Sequence, residues 1–513
     1  MAHGLLPFNY EREVRENGTT ALAGLPPFME LSHVLGLYDS IDRNLKFREN
    51  GQGYADRQIV MPLILLNLAG GDCVDDLARL EEDSGFTRIL GRLELHGLPR
   101  KVRRSLERRW RTERKRTVPS PTTVFRYLDE FRDEAAETGR GAGSAFIPEL
   151  SPGLRGLRKV NQELVASVQA RCPFTTATLD MDATLAETYK AGALFCYKGF
   201  RAYQPFNVFW SEHEMVLLSE FRDGNVNAGF EQTRVLKEAL EILPSGVETV
   251  FVRADTAGYE VEYLRYMAEG TNGRFGVIKF AVGADVTPAL KSEVSKLRES
   301  DWQPLTKWDE KLKEWKATGQ EWAEVVYVPT WVAHKKSNPD YRFLVSRERL
   351  NEQPLPGMED QLELPFPTQT FGKQGVYKLH AVITNRDLAG DQLIRWYRER
   401  CGKSEEVHSV MKEDLAGGQF PSKHFGSNAA WWAVMILALN LSVAMKKLVL
   451  GKVDKSWCNR RLKAVRFHFI GLPGRVVDHA RELCIKVGGD KAWDLIRCAR
   501  EKIRQLVLAV APA

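Results

Sequence analysis

The chain has 513 residues, with 73 Lys+Arg against 67 Asp+Glu, 43% hydrophobic and 27% charged residues. That length suits two to four domains, and the balance excludes a disordered chain, a collagen-like chain and a polytopic membrane protein. Seven cysteines with no C-x2-C pair exclude a zinc ribbon and a disulfide scaffold, and suit a reducing cytosol. The N-terminal MAHGLLPFNYER has no basic stretch followed by an apolar one, so no signal peptide is expected.

From Pro26 to about Leu90 the pattern is helical. Ile59 to Ala69, IVMPLILLNLA, predicts a buried helix ended by Gly70-Gly71, and Asp75-Asp76 opens the next amphipathic stretch. Residues 100–116, RKVRRSLERRWRTERKR, hold ten Lys+Arg and two Glu, a local charge of +8 against +6 for the whole chain. Such density is either a solvated helical face or a clamp on the phosphate backbone of DNA, which binds by counterion release without base specificity. Pro119-Ser120-Pro121-Thr122-Thr123 is a turn and helix start. Short helices with an Arg-rich face suit a helix-turn-helix-like DNA reader or a helical cap on the next domain. Residues 137–156, rich in Gly and Ser, read as a linker.

The period changes near Phe174. Thr175–Asp182, Pro205–Trp210 and Met215–Phe221 read as strands, followed by a helix at Gln232–Leu243. Thr249–Ala254 is a buried strand that stops at Asp255, Glu260–Glu269 is helical, and Phe275–Val282 is another buried strand. Three antiparallel strands followed by alternating helix and strand describe an α/β domain.

Residues 284–376 read as a β-rich insertion. Strand-like runs occur at Ala323–Tyr327 and Tyr341–Val345, another follows at Tyr377–Thr384, and Pro354, Pro356, Pro365 and Pro367 punctuate the interval. Trp302, Trp308, Trp315, Trp322 and Trp331 fall among Lys and Glu. Core packing is their first reading, and stacking on DNA bases the second. Helical pattern returns at Leu393. The apolar run Ala429–Met445 is at the lower edge of membrane-spanning length, but its internal Asn440 marks a buried helix. The last sixty residues are basic and amphipathic.

Three acids stand where a metal site is built. Asp182 ends a strand, with Asp180 two residues earlier on the same face; Asp255 follows a buried strand; Glu405 lies on a later helix, seven residues before Lys412. Acids so placed can converge on two divalent ions that activate water or a 3′-hydroxyl and stabilise the leaving oxygen of a phosphodiester. Hard oxygen ligands favour Mg²⁺ or Mn²⁺ over zinc. Taken singly, a strand-end Asp or a surface Glu is commonplace.

Several ordered segments carry a resemblance: LAGGDCVDDLARLEED at Leu68–Asp83, PSPTTVFRYLDEF at Pro119–Phe131, LDMDATLAETYKAGALFCYKGFRAYQPF at Leu179–Phe206, VRADTAGY at Val252–Tyr259, and YRERCGKSEEVHSVMKEDLAGGQFPSKHFGSNAAWW at Tyr397–Trp432. On these the sequence resembles the DDE transposases of bacterial insertion sequences, in the IS thirteen-eighty group, a relative of the IS four group. The resemblance spans nearly all of residues 25–445. It selects Asp182 over Asp180 and Asp255 in its R-x-D context as the family's two aspartates. The family's Tyr-x2-Arg-x3-Glu-x6-Lys signature matches Tyr397, Arg400 and Lys412. Counting back from Lys412 gives Glu405; counting forward from Arg400 gives Ser404, so one extra residue stands near Cys401-Gly402, and Glu406 stays an alternative.

The resemblance implies an α/β ribonuclease-H-like catalytic core interrupted by a β-rich insertion, with an α-helical N-terminal DNA-binding region and a helical C-terminal region. The expected units are 1–140, 157–283 (core, first part), 284–376 (insertion), 377–450 (core completion with the Glu) and 451–513. Asp182, Asp255 and Glu405 would hold two Mg²⁺, Mn²⁺ substituting. Tyr397, Arg400 and Lys412 would contact phosphates near the cut. Arg103, Arg104, Arg108, Arg109, Lys115 and Arg116 of the basic segment would bind DNA. The implied activity is cut-and-paste transposition, a metal-dependent DNA endonuclease and strand transferase. It would act on terminal inverted repeats and target DNA as a homodimer in the synaptic complex, in the cytoplasm at the nucleoid, with no membrane partner. The alternatives are a hydrolysis-only nuclease with the same core, a non-catalytic regulator derived from a transposase, and an RNA-directed nuclease, for which no RNA-specific motif is seen.

Overall fold

The structure, a computed structural model, describes residues 18–48, 53–96, 98–113, 116–333, 341–350, 366–371, 375–479 and 482–508. A short strand, β1 (Thr19–Thr20), precedes seven helices: α1 (Pro26–Val34), α2 (Leu37–Asn44), α3 (Asp56–Ala69), α4 (Leu77–Glu82), α5 (Ser84–Glu94), α6 (Arg100–Glu113) and α7 (Pro121–Asp129). α3 is the expected buried helix, and it ends at Gly70 with φ 96°, the left-handed cap that glycine adopts without steric cost. The Asp83 carboxylate caps α5 through Phe86 N and also takes the Thr20 hydroxyl and Ala21 N–H, tying β1 to the helix. Ser120 caps α7 through Thr123 N, realising the expected helix start.

α8 (Pro152–Arg171) begins inside the stretch expected to be a linker. Its glycines serve packing rather than flexibility: a Cβ on Gly156 would lie 2.3 Å from the Asn44 carbonyl oxygen of α2. A run of strands follows: β2 (Thr176–Ala183), β3 (Ala186–Glu187), β4 (Leu194–Phe195), β5 (Arg201–Tyr203), β6 (Phe206–Trp210) and β7 (Met215–Glu220). Then come α9 (Gln232–Ile242), β8 (Thr249–Ala254), α10 (Val261–Ala268) and β9 (Lys279–Ala284). β2, β6 and β7 pair antiparallel, whereas β2, β8 and β9 pair parallel, in the spatial order β7-β6-β2-β8-β9. This is the order of a ribonuclease-H-like core.

Within 284–376 the described elements are α11 (Pro288–Val294), β10 (Gln303–Asp309), β11 (Glu314–Val325), α12 (Thr330–Ala333), β12 (Arg342–Arg349) and β13 (Thr368–Thr370). They do not form a sheet of their own. β14 (Val376–Thr384) pairs with β9 on one side and β12 on the other, so β14, β12, β11 and β10, with β13 also on β14, prolong the core sheet to ten strands. Trp302 and Trp322 are buried, whereas Trp308 and Trp315 pair across the β10–β11 hairpin at 5.5 Å and stay exposed. Pro354, Pro356 and Pro365 lie outside the described residues.

α13 (Gly390–Ser409) crosses the sheet, and α14 (Phe425–Ala444) runs through the interior with nearly every residue buried. The helix from Phe425 to Val453 is long and apolar enough to span a membrane, yet 83% of its most apolar window is buried inside the protein. Asn440 is what such a core helix needs where it meets a strand edge. Its side chain accepts from Val216 N at 2.9 Å, donates to Val216 O at 2.8 Å and donates to Asn161 of α8 at 2.7 Å.

The C-terminal region, expected to be helical, departs from that expectation. After α15 (Gly451–Val453) and α16 (Leu462–Val465) it forms a hairpin, β15 (Gly474–His479) and β16 (Glu482–Val487), before α17 (Asp490–Leu508). Exposure alternates along β16, a period of two, whereas β15 shows no such alternation. β1 completes a three-stranded sheet with this hairpin, and Arg500 of α17 pairs with Glu30 of α1 at 2.6 Å. Residues 19–34 and the C-terminal hairpin and helix therefore pack on each other.

Candidate active site

The register of two parallel strands builds the site. Met181 of β2 lies opposite Ala254 of β8, so the next residue on each strand is Asp182 and Asp255. Asp180, two residues earlier on the same face, is buried, and both its oxygens are committed to Arg253: Nε to Oδ1 at 2.5 Å and Nη2 to Oδ2 at 2.8 Å. Burial pushes the Asp180 carboxyl up, and Arg253 pulls it back. Asp180 is thus a structural anion between strands, and Asp182, at the strand end, is the acid open to the cleft.

Asp255 starts a 3₁₀ turn, Thr256–Gly258, and its carboxylate accepts from Ala257 N at 3.0 Å. Burial, then the nearby charge of Asp182, raises its carboxyl above the ordinary aspartate range, with Arg400 opposing. Two close acids of which one resists ionisation are a donor set that a divalent cation fits: it would relieve their repulsion, and both ligands are hard oxygens.

α13 supplies the floor. Arg400 is 6% exposed and reaches Asp182 at 3.4 Å. Burial works against its charge, yet Asp182, Tyr397 and Asp255 together hold its proton more tightly than usual. Tyr397 is 3% exposed, and burial pushes its hydroxyl up to about 12. Gly283 of β9 makes room for it, since a Cβ there would stand 3.0 Å from the Tyr397 hydroxyl. Sequence reasoning placed Tyr397 and Arg400 on DNA phosphates. In the structure both are buried, with the Arg400 guanidinium against Asp182. Lys412, in a π-helical turn (Val410–Asp414), lines the open cleft and donates to Leu185 O at 3.3 Å. The cleft, about 970 Å³, is also lined by Asp182, Asp255, Lys198, Asn227 and Gln419.

Glu405 and Glu406 part company. Glu405 is exposed on α13, one turn before His408. Burial lowers the pKa of His408, with Asp182 and Glu405 opposing and Lys412 and Arg400 adding to it. Glu406 lines a separate cavity with Glu214, Lys446 and Arg461. Among the described residues no three His, Cys, Asp or Glu side chains are close enough to hold one ion. Helix geometry accounts for this. At about 100° per residue, position 404 falls roughly 40° from Arg400 around the axis, whereas position 405 falls roughly 140° away. The extra residue near Cys401-Gly402 therefore turns Glu405 off the Arg400 face. The sequence signal for His408 is the Glu405-x2-His408 spacing, which places both on one helical face.

α6 carries the basic segment. Arg104 and Arg108 are exposed, Arg103 lies 4.0 Å from Glu107, and Arg116 is half-buried with Nε donating to Val118 O at 3.4 Å. The side chain of Arg109 and all of Lys115 lie outside the described residues.

The fold, with these two aspartates at adjacent strand ends, defines an α/β protein with a ribonuclease-H-like core. Residues 13–362, more than half of the chain, match the family described as Transposase DDE domain group 1, and the chain belongs to that family. The match includes Asp182 and Asp255 and ends before Glu405. Among solved structures, the chain is similar to a piggyBac transposase in a synaptic complex with hairpin DNA, at 10% identity and TM-score 0.42, covering 97% of this chain and 88% of that one. No curated protein matches it.

Proposed function

We propose that this chain is a cut-and-paste DNA transposase of the IS thirteen-eighty group, which cleaves the ends of its insertion sequence and joins the 3′ ends to target DNA. The observation that supports this most is the pairing of Asp182 and Asp255 at adjacent parallel strand ends, open to a cleft that Lys412 also lines. Asp182 and Asp255 would hold divalent metal, Mg²⁺ or Mn²⁺, before DNA arrives, and Glu405 would complete a two-ion site once DNA is bound. When bound, such ions supply Lewis acidity at the phosphodiester and a nucleophilic oxygen at neutral pH. Arg400 holds Asp182 in place from below. Lys412 presents a fixed positive charge to the phosphates entering the cleft. Tyr397 fills the space over Gly283 and keeps the floor dry. For Glu405 to reach the aspartates, α13 near Cys401-Gly402 must rotate by about one residue, roughly 100°. The partners in this proposal are the element's terminal inverted repeats, target DNA and a second copy of the chain, at the nucleoid in the cytoplasm.

The test uses the full-length protein and a DNA fragment carrying its coding region with both flanks, in Mg²⁺ or EDTA. Metal-dependent ends mapping to inverted repeats, and 3′ ends joined to a second DNA, are expected. Asp182→Asn, Asp255→Asn and Glu405→Gln should each lower cutting by about 10³ or more while leaving DNA binding in place. Wild-type-like cutting by any of them removes that residue from the site. The exposed Glu405 favours one second reading, a non-catalytic DNA-binding regulator. Specific binding at the flanks without cutting would select it, and cutting without joining would select a hydrolysis-only nuclease.

A further inference from the structure

Between β2 and β6 the chain leaves the main sheet and builds a small one, in the order β3-β5-β4. Its inner side is fixed. Ala193, Cys196, Ala202 and Tyr203 are buried, and Asn428 donates to the Tyr203 hydroxyl at 3.1 Å. Arg140, bound to Asp223 at 2.7 Å, donates to Gly192 O at 2.8 Å. Its outer side is different: Tyr189 is 95% exposed, Phe195 58% and Tyr197 78%. Three large apolar side chains held in water within nine residues need an explanation that core packing does not provide.

The tip that carries Tyr197 is built to stay put. Cys196 N donates to Phe200 O at 2.8 Å, and Gly199 N donates to Cys196 O at 2.9 Å with Gly199 at φ 83°. That is a tight hairpin turn with glycine in the left-handed position. Cations accompany the rings. The Lys198 ammonium lies 5.7 Å from the Tyr197 ring centre, and the Arg201 guanidinium lies 4.6 Å from that of Phe195. Lys190, Lys198 and Arg201 outnumber Glu187, the one acid of the 186–203 segment. Tyr197 and Lys198 line the same cleft as Asp182 and Asp255.

Rigid, exposed aromatics interleaved with cations are the chemistry that binds single-stranded nucleic acid, the rings stacking on bases and the cations following phosphates. We infer that the 186–203 sheet is a platform for unpaired DNA strand beside the carboxylates, with Tyr197 as its principal stacking side chain and Lys198 on the phosphate. Its place in end handling rests on the transposase reading; its binding chemistry does not.

The experiment measures binding of a short fluorescent oligothymidine, and of a duplex of equal length, by the full-length protein in EDTA. Tyr197→Ala should weaken oligothymidine binding by about 5- to 100-fold and change duplex binding less than twofold. Tyr197→Trp should restore it. Lys198→Gln should lower the salt slope for the single strand by about one. Tyr197 projects from the turn into solvent, so the variants should fold, with melting temperatures equal to wild type. Equal oligothymidine affinity in wild type and Tyr197→Ala overturns the platform. Tyr197-dependent binding upholds it, and a wild-type protein that then shows no metal-dependent cutting overturns the transposase reading alone.

Discussion

Asp182 and Asp255 stand at the ends of two hydrogen-bonded strands, whereas Glu405 rides on the exposed side of a helix. The strand-end pair is located by backbone register, which a one-residue slip would destroy along the whole strand. Its position withstands the cost of two adjacent negative charges because Arg400 lies beneath. The helical acid is located by rotation, and one extra residue is enough to aim it elsewhere. The comparison teaches that the proposed metal site has two differently located parts, the aspartates set by strand register and Glu405 set by the rotation of a helix.

The largest effect expected from breaking the strand-end part is at Arg400. Arg400→Met leaves Asp182 and Asp255 without their buried partner and should cost about 3–5 kcal/mol, read as a fall in melting temperature. Arg400→Lys should recover part of it. Lowering the pH should shrink the loss, because the stranded carboxylates then protonate; a loss that stays constant with pH would mark Arg400 as packing only.

Asp255 comes next. Its folded carboxyl titrates above the unfolded value, through burial and Asp182. Between the unfolded and folded values the native state binds more protons than the unfolded chain, so this group's contribution to stability falls as pH rises through that window. Asp255→Asn removes the slope. In EDTA its melting temperature should exceed wild type at neutral pH, with the advantage gone in acid below both values. An advantage that grows in acid would reverse the sign and refute the account of Asp255.

A smaller effect is expected far from the carboxylates. Replacing Arg103, Arg104 and Arg108 by Gln should weaken duplex binding across sequences and reduce its salt slope by up to about three. An unchanged slope would make α6 a solvated face.

Much of the strand-end part was legible in the sequence. Alternation and apolar runs exposed β2, β6, β7, β8 and β9, and acids at strand ends pointed to Asp182 and Asp255. The Arg253 partner that occupies Asp180 was not legible, because pairing across β2 and β8 depends on register. Nor was the burial of Tyr397 and Arg400: an arginine in a helical pattern reads as surface, and only a charge beneath two acids keeps one inside. The prolongation of the sheet by β12, β11 and β10 escaped for a similar reason, since a strand pattern says nothing of its neighbour. Gly153 and Gly156 made the start of α8 resemble a linker because close helix packing and flexibility use the same residue. The short, charge-bearing runs of β15 and β16 were absorbed into an amphipathic helical pattern.

The most direct test is calorimetric titration of Mn²⁺ into the full-length protein without DNA, with Asp182→Asn, Asp255→Asn and Glu405→Gln alongside. The account predicts binding by wild type and by Glu405→Gln with closely similar affinity, and its loss in both aspartate variants. Equal loss in Glu405→Gln, or binding that survives removal of Asp182 and Asp255, would contradict it.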